Sequence, residues 1–199
     1  MSERASRRSG RRPGSSGTQE AILASARELF GAHGYDRPSV RAIAATAGVD
    51  PALVTHYFGS KQQLFVAAMR LPIDFANVMP ELLRDPHVAG RRLAEFMIAQ
   101  LESESQRRQI TGLVRAAASE PQAAAMVRAL VSGEMLSAIG AQLGTEDAPL
   151  RASLIGSQMV GLVMARHVVG VEPLASLEPE ALAEVLAPTL QRYLTGDLR

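Results

Sequence analysis

An all-α fold is what this sequence predicts, on three observations. Beyond Thr18 the apolar residues recur three and four apart, the spacing that lines one side of a helix. Residues that stop or start helices punctuate the chain at Gly34, Gly48, Asp50, Pro51, Pro72, Pro80, Pro86, Pro121, Gly144, Pro149, Gly170 and Pro173. No alternating run of Val, Ile and Thr bounded by turn residues argues for a sheet.

Taken in order, residues 1–17, MSERASRRSGRRPGSSG, hold five arginines among Ser, Gly and Pro with no large apolar anchor. A disordered basic arm is expected there, either a solubilising tail or an arm that meets a polyanion. From Thr18 onward Ile22, Leu23, Ala26, Leu29 and Phe30 fall on one stripe, and Gly34 supplies a left-handed stop. Ser39 caps a short second helix with Val40, Ile43, Ala44 and Ala47 inward, ended by Gly48. Three residues later Asp50 is a good N-cap, Pro51 suits the first helical position, and Val49 and Val54 stand at the two ends of a hydrophobic staple.

A fourth helix starts at Ser60, buries Leu64, Phe65, Ala68 and Met69, and runs to about Leu71, where Pro72 stops it. Further helices are expected over 86–103, 106–119, 121–143, 147–170 and 178–195, with a short irregular or helical piece over 74–84, about nine helices in all. The organisation is thus an arm over 1–17, a three-helix helix-turn-helix domain within 18–71 with its motif at 39–58, and a helical body over 72–199.

Charge separates these parts. Residues 1–70 hold ten Lys/Arg and five Asp/Glu, net +5, whereas residues 71–199 hold eleven and fifteen, net −4, so a polyanionic partner belongs to the first third. There is no cysteine, which removes disulfides and thiolate chemistry and fits an intracellular location. The longest strictly apolar run, Met159 to Ala165, is far short of the roughly 20 residues that cross a bilayer, so a soluble cytoplasmic protein with no membrane partner is expected.

Two short helices joined by a tight glycine turn, the second held at a fixed angle, make a helix-turn-helix whose second helix can enter a major groove. On a wheel of 51–58, Val54 and Phe58 point inward, Ala52, Leu53 and His56 point away, and Thr55 and Tyr57 flank them. Short helix pairs also serve as plain packing units, but the charge asymmetry and the arm favour DNA.

The run TQEAILASARELFGAHGYDRPSVRAIAATAGVDPALVTHYFGSKQQLF, about residues 18–66, resembles the N-terminal domain of the tetracycline-repressor family of bacterial transcriptional regulators, through AxELFxxxGY, SVRAIAxxAGV and xxxHYFGSKxxL in order. The resemblance implies that Ser39 meets a phosphate and that Arg41 reaches a base edge, where arginine pairs with guanine through two hydrogen bonds. It places Pro51, Ala52 and Leu53 at the base-reading start of the third helix, where apolar readout of thymine methyls is the chemistry on offer. Thr55, His56 and Tyr57, which replace the family's usual aromatic order, are assigned as a group to phosphate. His56 also reads as an ordinary exposed histidine. Lys61, the only lysine in the chain, matches the family's phosphate-binding lysine.

In the body, residues 147–170 are apolar around more than one face and need a second covering surface. Small residues at Ala152, Gly156, Gly161 and Ala165 permit close approach, with Leu182, Val185, Leu186, Leu190 and Tyr193 on the 178–195 helix. A twofold homodimer through Ala152, Gly156, Met159, Gly161, Leu182, Leu186 and Leu190 is therefore expected. The resemblance implies the same dimer, and a small-molecule effector that swings the fourth helix and spreads the heads on a double-stranded operator.

Met69, Phe75, Met79, Phe96, Met97, Met126, Met135, Met159 and Met164 can line an effector cavity, although each also reads as ordinary core. Arg166 and His167 are polar candidates for the effector or the partner subunit. No cofactor or metal site is expected: the four histidines are scattered, and neither HExxH nor a glycine-rich phosphate loop is present. The reading is a DNA-binding regulator, most simply a ligand-responsive repressor, with a constitutive DNA-binding dimer as the alternative.

Overall fold

The structure is a computed structural model that describes residues 15–198. Those residues form eleven α-helical segments and no strand: α1 (Ser15–His33), α2 (Val40–Ala47), α3 (Pro51–Phe58), α4 (Lys61–Met69), α5 (Phe75–Leu82), α6 (Ala89–Glu102), α7 (Glu104–Ala117), α8 (Pro121–Ala129), α9 (Leu136–Leu143), α10 (Ala148–Val163) and α11 (Pro179–Thr195). A π-helical stretch, Leu130–Met135, joins α8 to α9 into one rod, and another, Met164–Val169, extends α10, so the expected 121–143 and 147–170 helices each carry a widened turn.

The short piece expected over 74–84 is helical, because the Asp74 carboxylate accepts from the Asn77 N–H at 3.3 Å and starts α5. The arm expected over 1–17 lies outside the described residues except for Ser15, Ser16 and Gly17, which form the first turn of α1.

Two cores divide the chain. In the head, Ile22, Phe30, Ile43, Val54, Phe58, Leu64 and Phe65 bury one cluster. In the body, Leu93, Leu101, Ile139, Ile155, Leu182 and Leu190 anchor the other. The helix α7 belongs to both, since its Leu113 and Ala116 complete the head cluster while Ile110 and Val114 sit in the body cluster.

The joint between the cores is backbone against backbone. A Cβ placed on Gly31 of α1 would lie 2.9 Å from the Arg108 carbonyl oxygen, and one on Gly112 of α7 would lie 2.9 Å from the Gly31 Cα, so only two glycines allow this crossing. Beside it the buried Gln109 donates from Nε2 to the carbonyls of Ala68 (2.8 Å) and Arg70 (2.7 Å), which are left open where α4 ends before Pro72.

Inside the body α6 packs along α11, where Gly90 brings the backbones together and donates its N–H to Gln191 Oε1 at 2.8 Å. Arg151, 8% exposed, grips Asp147 through Nε and Nη2 at 2.9 and 2.8 Å. It also donates to the carbonyls of Tyr193 (2.8 Å) and Gly196 (3.1 Å) at the end of α11. The Arg151 hydrogen bond holds the Asp147 carboxyl below its ordinary range.

Candidate functional site

The head is built from local chemistry. The Ser39 hydroxyl oxygen accepts from the Ala42 N–H at 3.1 Å and starts α2. Gly48, with φ +67°, ends it: Gly48 N–H donates to Ala45 O at 3.1 Å and Val49 N–H to Ala44 O at 3.0 Å, the paired bonds of a Schellman turn. Asp50 then accepts from Ala52 N–H at 2.7 Å and starts α3 after a linker of Gly48, Val49 and Asp50. Val54 and Phe58 bury the inner side of α3, with Val49 packed on the same cluster. These contacts fix the direction in which the outer side of α3 faces.

That outer side is open. Pro51, Ala52, Leu53, Thr55 and His56 are exposed, as are Ser39 and Arg41 on α2, and Arg41 makes no ion pair or hydrogen bond with any described residue. Ser39 uses its oxygen as acceptor in the cap and keeps its hydroxyl hydrogen for another group. Tyr57 differs from its neighbours: it is half-buried, packed on the head core and edge-on to His56 with ring centroids 5.3 Å apart.

Lys61 is half-buried and already engaged. Its ammonium donates to the Asp36 carbonyl at 3.0 Å and lies 4.5 Å from the centre of the Tyr35 ring. Tyr35 in turn packs on Phe30 and Phe65, with centroids 6.0 and 5.1 Å away. The lysine therefore ties the start of α4 to the loop that precedes α2, with two N–H donors left over. The Tyr35 hydroxyl is pushed above its ordinary pKa, first by burial and then by Glu120 and Asp36. Sequence reasoning named Lys61 but missed this tether, whose only local sign is the aromatic at Tyr35.

Behind the head, an apolar cavity of about 80 Å³ lies between α5, α6, α7, the π stretch after α8, and α10. Phe75, Met79, Phe96, Met97, Met135 and Met159 line it, and Gln100 is its one polar lining residue. Other expected cavity residues sit elsewhere. Met69 is fully buried in the head core, and Met126 packs against that same core, because α4 and α8 turn these faces toward α1 and α7. Met164 packs on the body core without reaching the cavity. Arg166 donates to the Leu174 carbonyl at 2.7 Å, and His167 faces α7 on the far side from the cavity.

Several expected dimer residues face their own chain. Leu182 and Leu190 are 1% and 0% exposed in the body core, and Ala152 is 1% exposed. Gly156 admits Val131, whose Cγ2 would lie 2.7 Å from an added Cβ. The small residue serves an internal crossing. Met159 lines the cavity and Leu186 packs half-buried on the body core. Gly161, in contrast, is exposed with open space beside it, and Leu150, Val169 and Val185 are 53%, 66% and 65% exposed. The rods 121–143 and 148–169 are long and apolar enough for a membrane span by composition alone, but their inner faces build the body core.

The model described as "Bacterial regulatory proteins, tetR family" matches residues 22–68, and "Tetracyclin repressor-like, C-terminal domain" matches residues 88–194. A TetR-family regulator of known structure from Streptomyces coelicolor A3 is 33% identical, with a TM-score of 0.56 and alignment over 94% of this chain and 99% of that one. NalD, the secondary repressor of the MexAB-OprM multidrug efflux pump in Pseudomonas aeruginosa, shares the fold at 22% identity, with a TM-score of 0.64 over 92% of this chain and 98% of its own. The regulator BetI of Rhizobium meliloti is 38% identical over 76 residues, which cover 38% of this chain and only 34% of BetI. With a capped helix-turn-helix, an apolar cavity behind it and both halves matched, the chain belongs to the tetR family of bacterial regulatory proteins, the DNA-binding transcriptional regulators.

Proposed function

We propose that this regulator is a cytoplasmic repressor that grips a palindromic double-stranded operator as a twofold dimer and releases it when an apolar effector enlarges the central cavity. The observation that carries the DNA reading is the outer side of the motif: Ser39, Arg41 and the start of α3 stand exposed, with Arg41 unpaired, on helices whose own ends are already satisfied. Arg41 reads a base, Ser39 and Lys61 meet phosphates, and Pro51, Ala52 and Leu53 touch apolar base edges. Thr55 and His56 serve phosphate, with Tyr57 held between the backbone and the head core. The second copy covers the outward faces of α10 and α11 around Gly161 and Val185, where exposed apolar surface is otherwise unexplained. No catalytic role is assigned.

Selection of bound DNA from a random pool tests this. Two half-sites about one helical turn apart, on the order of 34 to 36 Å, are expected, and enrichment of a single unpaired site would overturn the dimer reading. Arg41→Ala should relax one base position in each half-site, by about 1 to 3 kcal/mol. Lys61→Ala should weaken all sequences alike and lower the salt slope by roughly one. A Lys61→Ala protein with an unchanged slope but a lower melting temperature would leave only the tether to Asp36.

One observation favours the constitutive alternative. The cavity, at about 80 Å³, is far below the roughly 300 Å³ or more of a drug-sized site, so an effector has to pry it open. Operator release measured across apolar ligands separates the two readings.

A further inference from the structure

Polar groups also converge in a notch of about 250 Å³ at the joint of the two cores, on another face of α7 from the apolar cavity. Its floor is α1 at Gly31 and Ala32, one wall is α7 with Arg107, Arg108, Thr111 and Arg115, and the other is His167 in the π stretch after α10. Two buried side-chain atoms lack a hydrogen-bond partner among the described residues, Thr111 Oγ1 and His167 Nε2, and both belong to this notch. Thr111 is only 7% exposed, and its side chain lines the notch. A buried polar group left unpaired costs about 1 to 3 kcal/mol, which makes two of them in one place a sign of something that pairs them.

The charges point to what that is. Arg107 spends one N–H on the Leu101 carbonyl at 3.1 Å, and Arg108 pairs with Glu104. The Arg115 guanidinium makes no ion pair or hydrogen bond with a described residue. Guanidinium, hydroxyl and the Nε2–H tautomer of imidazole are all donors, and a group offering only acceptors satisfies them together.

We propose that this notch binds a small multivalent oxyanion of the phosphate type, held by Arg115 and Arg107 with Thr111 and His167 donating to it. The space suits a tetrahedral anion and accompanying water. Because the floor is α1 of the head and the walls are α7, which both cores share, and the π stretch of the body, an occupant ties the two cores at the Gly31–Gly112 crossing, a control point separate from the apolar cavity.

The test uses the full chain without DNA, melted in inorganic phosphate and in sodium chloride of matched ionic strength. At ten times the dissociation constant, phosphate should raise the melting temperature by about 3 to 6 °C over chloride. Arg115→Gln and Thr111→Val should each lose at least half of that rise, while Arg84→Gln, whose partner Glu81 lies outside the notch, should keep all of it. Thr111→Val removes a hydroxyl that has no partner, so its fold is not at risk. No rise over chloride, or the same rise in all four proteins, would overturn the site.

Discussion

The head and the body are held together by different kinds of chemistry. In the head, α2, α3 and α4 each start on a side chain that accepts a backbone N–H, Ser39, Asp50 and Ser60, and of the body helices α5, next to the head, starts the same way on Asp74. In the body, α6, α7, α8, α10 and α11 have no side-chain cap at all. Head helices of eight or nine residues are too short to persist alone, so each needs its ends satisfied locally. Body helices are stabilised by the neighbours they touch: Gly90 against α11, Gly156 against Val131, Arg151 across α10 and α11. A head fixed by local caps and a body fixed by packing suit the proposed switch, since a repacked core can have two arrangements while a capped helix has one.

The largest effect should come from breaking the joint between them. Gly112→Val drives a branched side chain into Gly31 of α1, and a loss of about 3 kcal/mol is expected in urea unfolding, with weaker operator binding because the head shifts on α7. An unchanged midpoint would mean the crossing is looser than its 2.9 Å approach implies. Next in size, Gln109→Leu strands the carbonyls of Ala68 and Arg70, and about 2 kcal/mol should be lost. Asp50→Ala removes only a cap and should cost about 1 kcal/mol, yet it acts at the start of α3 and should weaken operator binding by more than that stability loss alone explains. Equal losses of binding in Asp50→Ala and Asp74→Ala would erase the distinction between head and body.

The same contrast explains what could be read from the residues alone. Ser39, Gly48, Asp50, Pro51 and Ser60 act on backbone within a few positions of themselves, so their order in the chain already states the turn and the two helix starts. The starts of α2, α3 and α4 follow from that logic, whereas α1 begins at Ser15, three residues before the expected Thr18, and α5, expected only as an irregular or helical piece, starts on Asp74, a cap its periodicity does not announce. In the body the periodicity shows that 147–170 is apolar on more than one face but not which face meets which neighbour. That is why Leu182, Leu190, Ala152 and Gly156, expected at a partner, lie in their own core, and why Met69 and Met126 lie in the head. Gly31, Gly112 and Gln109 gave no warning, because each matters only through a residue of another helix distant in sequence.

The smallest predicted effect is a pH dependence at the notch, where head and body meet. Burial, followed by the positive charges of Arg166 and Arg107, pushes the His167 imidazole below its ordinary pKa of 6.5, with Glu102 opposing. Arg108 and Arg115 add further positive charge on the same walls. A histidine lowered in the folded state stays neutral there while the unfolded chain takes up a proton, so its contribution is fully present above the ordinary value and is lost as pH falls through the lowered one. His167→Gln should therefore match the parent's unfolding midpoint dependence above about pH 6.5 and fall less steeply below it. In inorganic phosphate the parent's extra steepness should shrink, because an oxyanion beside the imidazole favours its protonated form. Identical curves for parent and variant from pH 5 to 8 would show that His167 keeps its ordinary proton affinity, and that its Nε2 is better satisfied than its surroundings suggest.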